Sequence, residues 1–428
     1  MHIKFRLASI IFFTVFFLAL PGKKCISSFN SDISLKDITL HTVLKDTGFL
    51  IRDTITPVNP NFPIKDTVPS MIPDSVAKDT VTSADTNSLC CNVMLTDTNS
   101  IIQDTITIIG VGDIMLGTDY PSAKYLPPSG QCNMLLANVM PLLRDADITF
   151  GNMEGVLAGE HGKAKNCKNP DQCYVFRMPE QFVNCLAEAD FDLLSVANNH
   201  VNDFGYEGRK NTSKVLDEAG LSFAGFIDKP YTIIEKGGKK YGFAAFAPHS
   251  GTNNLLDIKK AVELISYLDS VTDIVIVSFH AGAEGKDHQH VTRETEYFYG
   301  NSRGNVYDFA HRAIDAGADV LFGHGPHVTR AVEVYKNRFI AYSLGNFCTY
   351  SRFNLSGPNG IAPLIKVFTD TTGNFLQALI TPVYQEGEGI PHVDPNIRAV
   401  KKIQELTATD FPNQNLIIED TGLIYIKQ

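Results

Sequence analysis

No run of clustered lysines and arginines occurs in this 428-residue sequence, whose formal net charge at pH 7 is −10. Long polyanions are bound chiefly through clustered cationic side chains, so a nucleic acid polymer is excluded as the main partner. The eight cysteines contain no two well-spaced CxxC pairs, which argues against a structural zinc site. A comfortable membrane span is missing from the N-terminus as well: the apolar run LASIIFFTVFFLAL, Leu7 to Leu20, falls short of the roughly 20 residues a spanning helix needs.

That run follows Lys4 and Arg6 and has the length of a signal peptide. Residues 1–24 are therefore expected to direct export, or to stay attached as an N-terminal membrane anchor. The expected location is the cell envelope, either periplasmic or held on the outer side of a membrane. In such an oxidising place Cys167 and Cys173, within CKNPDQC, can close a short loop. Free thiols packed as small apolar groups are the alternative.

Residues 25–105 are dominated by Asp, Thr, Ser, Pro and Asn, with Asp-Thr recurring at Asp46, Asp53, Asp66, Asp79, Asp85, Asp97 and Asp104. Such a segment has too little apolar patterning to offset the entropy of ordering, and it is expected to be a flexible tether. From Thr105 the texture changes. The runs TITIIGVG, ADITFGN, FDLLSVANN, KYGFAAFAP, DIVIVSFHAG, ADVLFGHG and RFIAYSLGNF read as short strands, and Gly208–Ala219 and Val306–Ala316 read as helices between them. The alternation predicts an α/β domain over residues 106–390. Residues 391–428, with a helix in VDPNIRAVKKIQELTATD, are expected at its periphery.

Polar residues follow the apolar runs at Asp113 in GVGDIMLG, at Asn152 and Glu154 in GNMEG, and at Asn198, Asn199 and His200 in ANNH. His280 in FHAGAEG and His324 with His327 in GHGPH complete the set. Ligands of α/β sheets collect beyond the carboxyl ends of strands, so these groups are expected on one rim. Carboxylate, amide and imidazole together suit a divalent transition ion such as Mn, Fe or Zn, one or two per site, whereas calcium uses oxygen alone. His200 is placed to protonate a leaving oxygen beside a ligating Asn199. Each group taken singly also fits a turn, a cap or a satisfied hydrogen bond; the joint placement carries the inference.

At these residues the chain resembles the CapA family of capsule-synthesis proteins, associated with poly-γ-glutamate and related to the calcineurin-like metallophosphoesterases. The resemblance covers approximately residues 106 to 385 and rests on GVGDIMLG, FGNMEGVL, SVANNHVNDFG, VSFHAGAEG, DVLFGHGPHVTR and AYSLGNF, in that order. It implies a metallophosphoesterase-like α/β/β/α four-layer sandwich. It further implies a metal-ligand set of Asp113, Glu154, Asn199, His280, His324 and His327, with Asn199 and His200 as the catalytic Asn-His pair. Asn152, Asn198, Glu284, Arg330 and Asn346 are left with supporting or substrate-contacting roles.

Three departures from the phosphoesterase pattern stand out. Met115 occupies the place of the histidine in Asp-x-His, the bridging carboxylate is the longer Glu154, and Gly325 and Pro326 separate the last two histidines. One ion or two, and a phosphoester or a γ-glutamyl amide as the bond cleaved, are both open at this point. The expected partners are an acidic polymer or phosphoester substrate and membrane proteins of capsule synthesis. The competing expectation is a non-catalytic component that binds or exports capsule polymer through the same pocket. Arg177, Arg209 and Arg330 are candidates to meet a phosphate one at a time.

Overall fold

The computed structural model describes residues 105–166 and 173–427. The expected signal or anchor, the tether up to residue 104, and Cys167 lie outside them. The chain runs through β1 (Thr105–Met115), α1 (Asn133–Leu136), α2 (Met140–Leu143), β2 (Ile148–Met153), α3 (Val183–Glu188), β3 (Leu193–Ser195), α4 (Gly205–Glu218) and β4 (Ser222–Ala224). Next come β5 (Tyr231–Lys236), β6 (Lys239–Phe246), α5 (Ile258–Val271), β7 (Ile274–His280), the hairpin β8 (Glu296–Phe298) and β9 (Asn301–Gly304), α6 (Val306–Asp315) and β10 (Val320–His324). Then follow β11 (Val332–Tyr335), β12 (Arg338–Ala341), β13 (Asn346–Thr349), β14 (Ile361–Asp370), β15 (Phe375–Glu386), β16 (Ile390–Val393), α7 (Arg398–Asp410), β17 (Leu416–Ile418) and β18 (Leu423–Ile426).

Two large sheets organise these elements. The first has the order β17-β18-β15-β14-β1-β2-β3-β4, with β13 added to β1 and β16 to β15; the second is β11-β12-β10-β7-β6-β5. Side chains alternate between the two faces of a strand, and here both faces are buried. In β7, Ile274 and Ile276 enter the layer between the sheets, whereas Val275, Val277 and Phe279 pack toward α5 and α6. In β1, Ile106 and Ile108 face the other sheet, whereas Ile109 and Val111 pack under α1 to α4. Phe150 of β2 stacks on Phe322 of β10 across the gap, centroids 5.3 Å apart and planes 5° from parallel. The result is helices, sheet, sheet, helices: the four-layer α/β/β/α sandwich.

The helix expected near the C-terminus is α7, but it is not peripheral. Val400 and Ile403, one turn apart, insert into the layer between the sheets, and β18 pairs with β15 through Ala378 and Ile424. A three-residue apolar spacing gives α7 a buried face that its charged residues conceal in a linear reading. The sheet thus continues past residue 390.

A disulfide joins Cys132, just before α1, to Cys185 in α3, both buried in the outer helix layer. Cys173 is also disulfide-bonded, while Cys167 falls outside the described residues. Cys348 is a buried free thiol.

Strand direction positions the site. β1, β2 and β3 are parallel neighbours, as are β7 and β10, so the carboxyl ends of each group lie together. Register brings Asp113 opposite Asn152 on one side and Asn346 on the other. His280 and His324 are paired at the ends of β7 and β10. Gly112, immediately before Asp113, has no room for a side chain: a Cβ there would lie 2.0 Å from the Gly345 carbonyl oxygen. That close approach lets the Asp113 N–H donate to the same oxygen at 2.8 Å.

Candidate metal centre

Asp113, wholly buried, is the hub. Its Oδ1 accepts from Asn152 Nδ2 at 2.8 Å and lies 3.1 Å from His324 Nδ1, while its Oδ2 lies 2.9 Å from His327 Nδ1. One carboxylate from the first sheet therefore meets two imidazoles, one at the end of β10 in the second sheet and one just beyond it. Ligand atoms of Asp113, Glu154 and His280 come within 4.8 Å of one another, and all three residues are buried. His327 Nε2 is 3.5 Å from Glu154 Oε1 and His200 Nε2 is 3.8 Å from it.

The donor set is short of partners. Among the described residues, both carboxylate oxygens of Glu154, both ring nitrogens of His280, Nε2 of His324 and Oδ1 of Asn199 are buried without a hydrogen-bond partner. A buried polar atom left unpaired costs about 1–3 kcal/mol, more for a charged group, and such atoms cluster in one place only for a reason. Carboxylate oxygen and imidazole nitrogen brought within 4.8 Å of one another, as on Asp113, Glu154 and His280, fit a divalent ion. The residues present thus fit a metal, with Asp113, Glu154 and His280 as the nucleus of the site.

Electrostatics point the same way. Burial would raise the Asp113 carboxyl, but hydrogen bonds from His324 and His327 outweigh it and hold the group far below the usual carboxylate range. Burial pushes Glu154 well above its ordinary value, against the pull of His327 and with the charge of Asp113 adding to the rise. Burial opposes the charged form of His327, yet Glu154 and Asp113 prevail and raise it to about 10. Burial lowers His280 well below its ordinary value. An ionised Asp113 therefore lies beside a cationic His327, while burial favours the neutral form of Glu154, a preference that a cation at the cluster would reverse.

His327 has a left-handed backbone, φ 58°, which few non-glycine residues adopt. Asn346 Nδ2 at 3.3 Å and Asn359 Nδ2 at 3.1 Å both donate to its carbonyl oxygen, and Asn346 Oδ1 lies 3.1 Å from its Nδ1. The turn in GHGPH is thereby held so that both histidines reach Asp113.

On the opposite wall, His200 Nδ1 is 2.7 Å from Asp203 Oδ2, and the ring packs on Phe176 with centroids 4.3 Å apart. Asn198 shapes this loop: its Oδ1 accepts from His200 N–H at 3.0 Å, and its Nδ2 donates to the Met153 carbonyl at 2.9 Å. Asn199 faces the cavity. Glu284 lines it too, its Oε1 accepting from Arg303 Nη1 at 2.8 Å. The cavity above the cluster has a volume of about 970 Å³.

The three arginines expected to meet phosphate are engaged elsewhere. Arg330 is 1% exposed and forms a fork with Glu296, Nη1 to Oε1 at 2.8 Å and Nη2 to Oε2 at 2.7 Å. Arg177 pairs with Asp119 at 2.6 Å, and Arg209 donates to Asn202. Met115 is fully buried in the outer helix layer, where its sulfur accepts from the Gly117 N–H at 3.3 Å. Asp203, His249 and Arg303 belong to the site and are not among the residues the sequence singles out. Asp203 has a signal, three residues after His200; His249 and Arg303 follow no comparable motif.

Residues 107–351, more than half of the chain, match the family model described as "Bacterial capsule synthesis protein PGA_cap". The chain belongs to this family. Among its relatives is "Capsule biosynthesis protein CapA" of Bacillus anthracis, 29% identical over 267 residues covering 57% of this chain and 60% of that one. "PGA biosynthesis protein CapA" of Bacillus subtilis (strain 168) is 29% identical over 262 residues, covering 57% and 63%. This capsule-synthesis family member thus spans less than two thirds of the length of these relatives. Among solved structures, a 5'-nucleotidase precursor from Thermus thermophilus aligns over 74% of this chain and 62% of that one, with a TM-score of 0.37 and 12% identity. The fold assignment rests on the observed layers and on family membership, not on that alignment.

Proposed function

We propose that this protein is a metal-dependent hydrolase of capsule synthesis or anchoring, acting on a phosphoester or γ-glutamyl bond of an acidic substrate. The observation that carries the reading is the buried trio Asp113, Glu154 and His280, whose ligand atoms come within 4.8 Å of one another while those of Glu154 and His280 have no hydrogen-bond partner among the described residues. Mn, Fe or Zn suits that mixture of oxygen and nitrogen. Asp113, Glu154 and His280 would hold the ion, with Asn199, His324 and His327 completing its surroundings or serving a second one. A bound ion supplies Lewis-acid polarisation of the scissile group.

The chain's own residues do the rest. Asp203 fixes the Nδ1–H tautomer of His200 and so turns Nε2 toward Glu154 and the cavity, where it can take or give a proton. Asn152, Asn198 and Asn346 fix the angles of Asp113, His200 and His327 through the hydrogen bonds already described. The wide cavity admits a chain-like substrate.

Export to the envelope fits the basic start and short apolar run of residues 1–20, and a structural disulfide between Cys132 and Cys185 fits an oxidising compartment. Among the described residues no helix is long and apolar enough to cross a membrane. Membrane proteins of capsule synthesis are the neighbours this reading expects.

A second reading is favoured by Met115, which replaces an imidazole and is turned into the core. It assigns the pocket to binding capsule polymer without turnover. The two are separated by assaying phosphoester and γ-glutamyl amide hydrolysis with and without added metal, in wild type and in His200→Ala and His280→Ala. Metal-dependent turnover lost in both variants supports the hydrolase; binding of polymer without turnover in any sample supports the second reading.

A further inference from the structure

We propose that Arg303 is a substrate-anion site: the free edge of its guanidinium receives an oxyanion, carboxylate or phosphoryl, of the molecule bound beside the metal cluster. The inference deepens the functional reading above and rests on it only for where the substrate's reacting bond lies.

Arg303 sits on β9, in the small hairpin between β7 and α6, and lines the cavity. Its carbonyl accepts from the Gly282 N–H at 3.0 Å, two residues beyond His280, which ties the arginine to the strand end that carries this histidine. The residue is 4% exposed. One terminal nitrogen, Nη1, is held by Glu284 at 2.8 Å, whereas among the described residues Nε and Nη2 have no hydrogen-bond partner.

Nε and Nη2 share one edge of the planar guanidinium, the edge that offers two parallel N–H bonds to a carboxylate or phosphoryl group. A fully charged fork buried with that edge unpaired is expensive, and Arg330 shows what the same chain does with a purely structural arginine: it completes the fork with Glu296. At Arg303 the single clamp from Glu284 orients the group and leaves the second edge for a ligand. His249, also on the cavity wall, has its Nε2 buried and unpartnered, with its ring centroid 6.3 Å from that of His280. It offers a neutral second contact to the same anion.

Carboxylate and phosphoryl oxygens satisfy this edge equally well, so two probes separate the sources. Inorganic phosphate and the dipeptide γ-glutamylglutamate are titrated calorimetrically into the full chain, in wild type, Arg303→Lys, Arg303→Met and the charge-balanced Arg303→Met/Glu284→Gln. Metal content and melting temperature are measured on the same samples. The expected result is binding of at least one probe to wild type, weakened about 10- to 100-fold in Arg303→Met and in the double variant, with partial recovery in Arg303→Lys and unchanged metal content. Phosphate preference identifies a phosphoryl site, and dipeptide preference a carboxylate site. Equal binding by wild type and both methionine variants, or binding of neither probe by folded wild type, overturns the proposal. Metal retained in that case leaves the metal reading standing, and Arg303-dependent probe binding without metal removes that reading while keeping this one.

Discussion

His200 and Asp203 form a buried dyad, Nδ1 to Oδ2 at 2.7 Å, that leaves only the far ring nitrogen of the histidine facing the site. Burial lowers the His200 pKa and the Asp203 charge opposes that fall. Replacing Asp203 by Asn removes the opposing charge and the tautomer restraint together. Turnover is expected to drop by about 10²-fold or more, and the limb of the pH–rate profile that reports His200 is expected to move to lower pH, with metal content unchanged. A profile that keeps its position would show that Asp203 does not govern this ring.

His249 supplies a stability signature. Burial first, and the charge of Arg303 next, lower its pKa to about 3 from an ordinary 6.5. Between those values the unfolded chain binds the proton and the folded chain does not, so this contribution is complete above about pH 6.5 and is lost as the pH falls. The slope approaches about 1.4 kcal/mol per pH unit for one group. Melting temperatures of metal-free protein from pH 7 to pH 5 should therefore fall more steeply for wild type than for His249→Gln. Parallel curves would contradict the assignment.

The disulfide between Cys132 and Cys185 closes a sequence separation of 53 residues in the outer helix layer. Chain-entropy reasoning for a loop of that length gives about 4 kcal/mol, with native strain reducing it. The Cys132→Ala/Cys185→Ala double variant should lose roughly 2–4 kcal/mol in denaturant titration and keep its metal. A stability loss that disappears when wild type is compared in reductant would confirm that the bond itself is the source.

Gly112 is expected to tolerate no side chain. Gly112→Ala sets a methyl group against the Gly345 carbonyl oxygen and must shift the strand that carries Asp113. The cost is expected at roughly 1–3 kcal/mol, accompanied by weakened metal binding, read by thermal denaturation and elemental analysis. A stable variant with full metal content would show that β1 can move independently of β13.

Much of this site was legible in the sequence because its chemistry sits at strand ends. An apolar run fixes a strand, and the polar residues at or just past its end, among them Asp113, Glu154, Asn199, His280 and His324, mark where the site is built. The same runs pointed only to an α/β domain; the four layers were implied by the family resemblance and not by the runs themselves. Arg303 was hidden because β9 is a four-residue polar strand in a hairpin with no apolar signature. Arg330 looked functional because it follows the histidine turn, yet its direction is set by Glu296, 34 residues earlier, a pairing no local pattern displays. The Cys132 to Cys185 bond was hidden for a related reason: two cysteines distant in sequence are brought together only when α1 and α3 pack on the same sheet. The buried face of α7 turns on apolar residues such as Val400 and Ile403 set amid lysines and threonines.

The central claim is that the cluster built on Asp113, Glu154 and His280 holds a metal ion. Its most direct test is elemental analysis of the purified full chain supplied with Mn, Fe and Zn, beside Glu154→Ala and His280→Ala variants whose folding is verified by circular dichroism. The account predicts one or two transition ions per wild-type chain and a marked loss in both variants; a folded wild type that binds none of the three metals would contradict it.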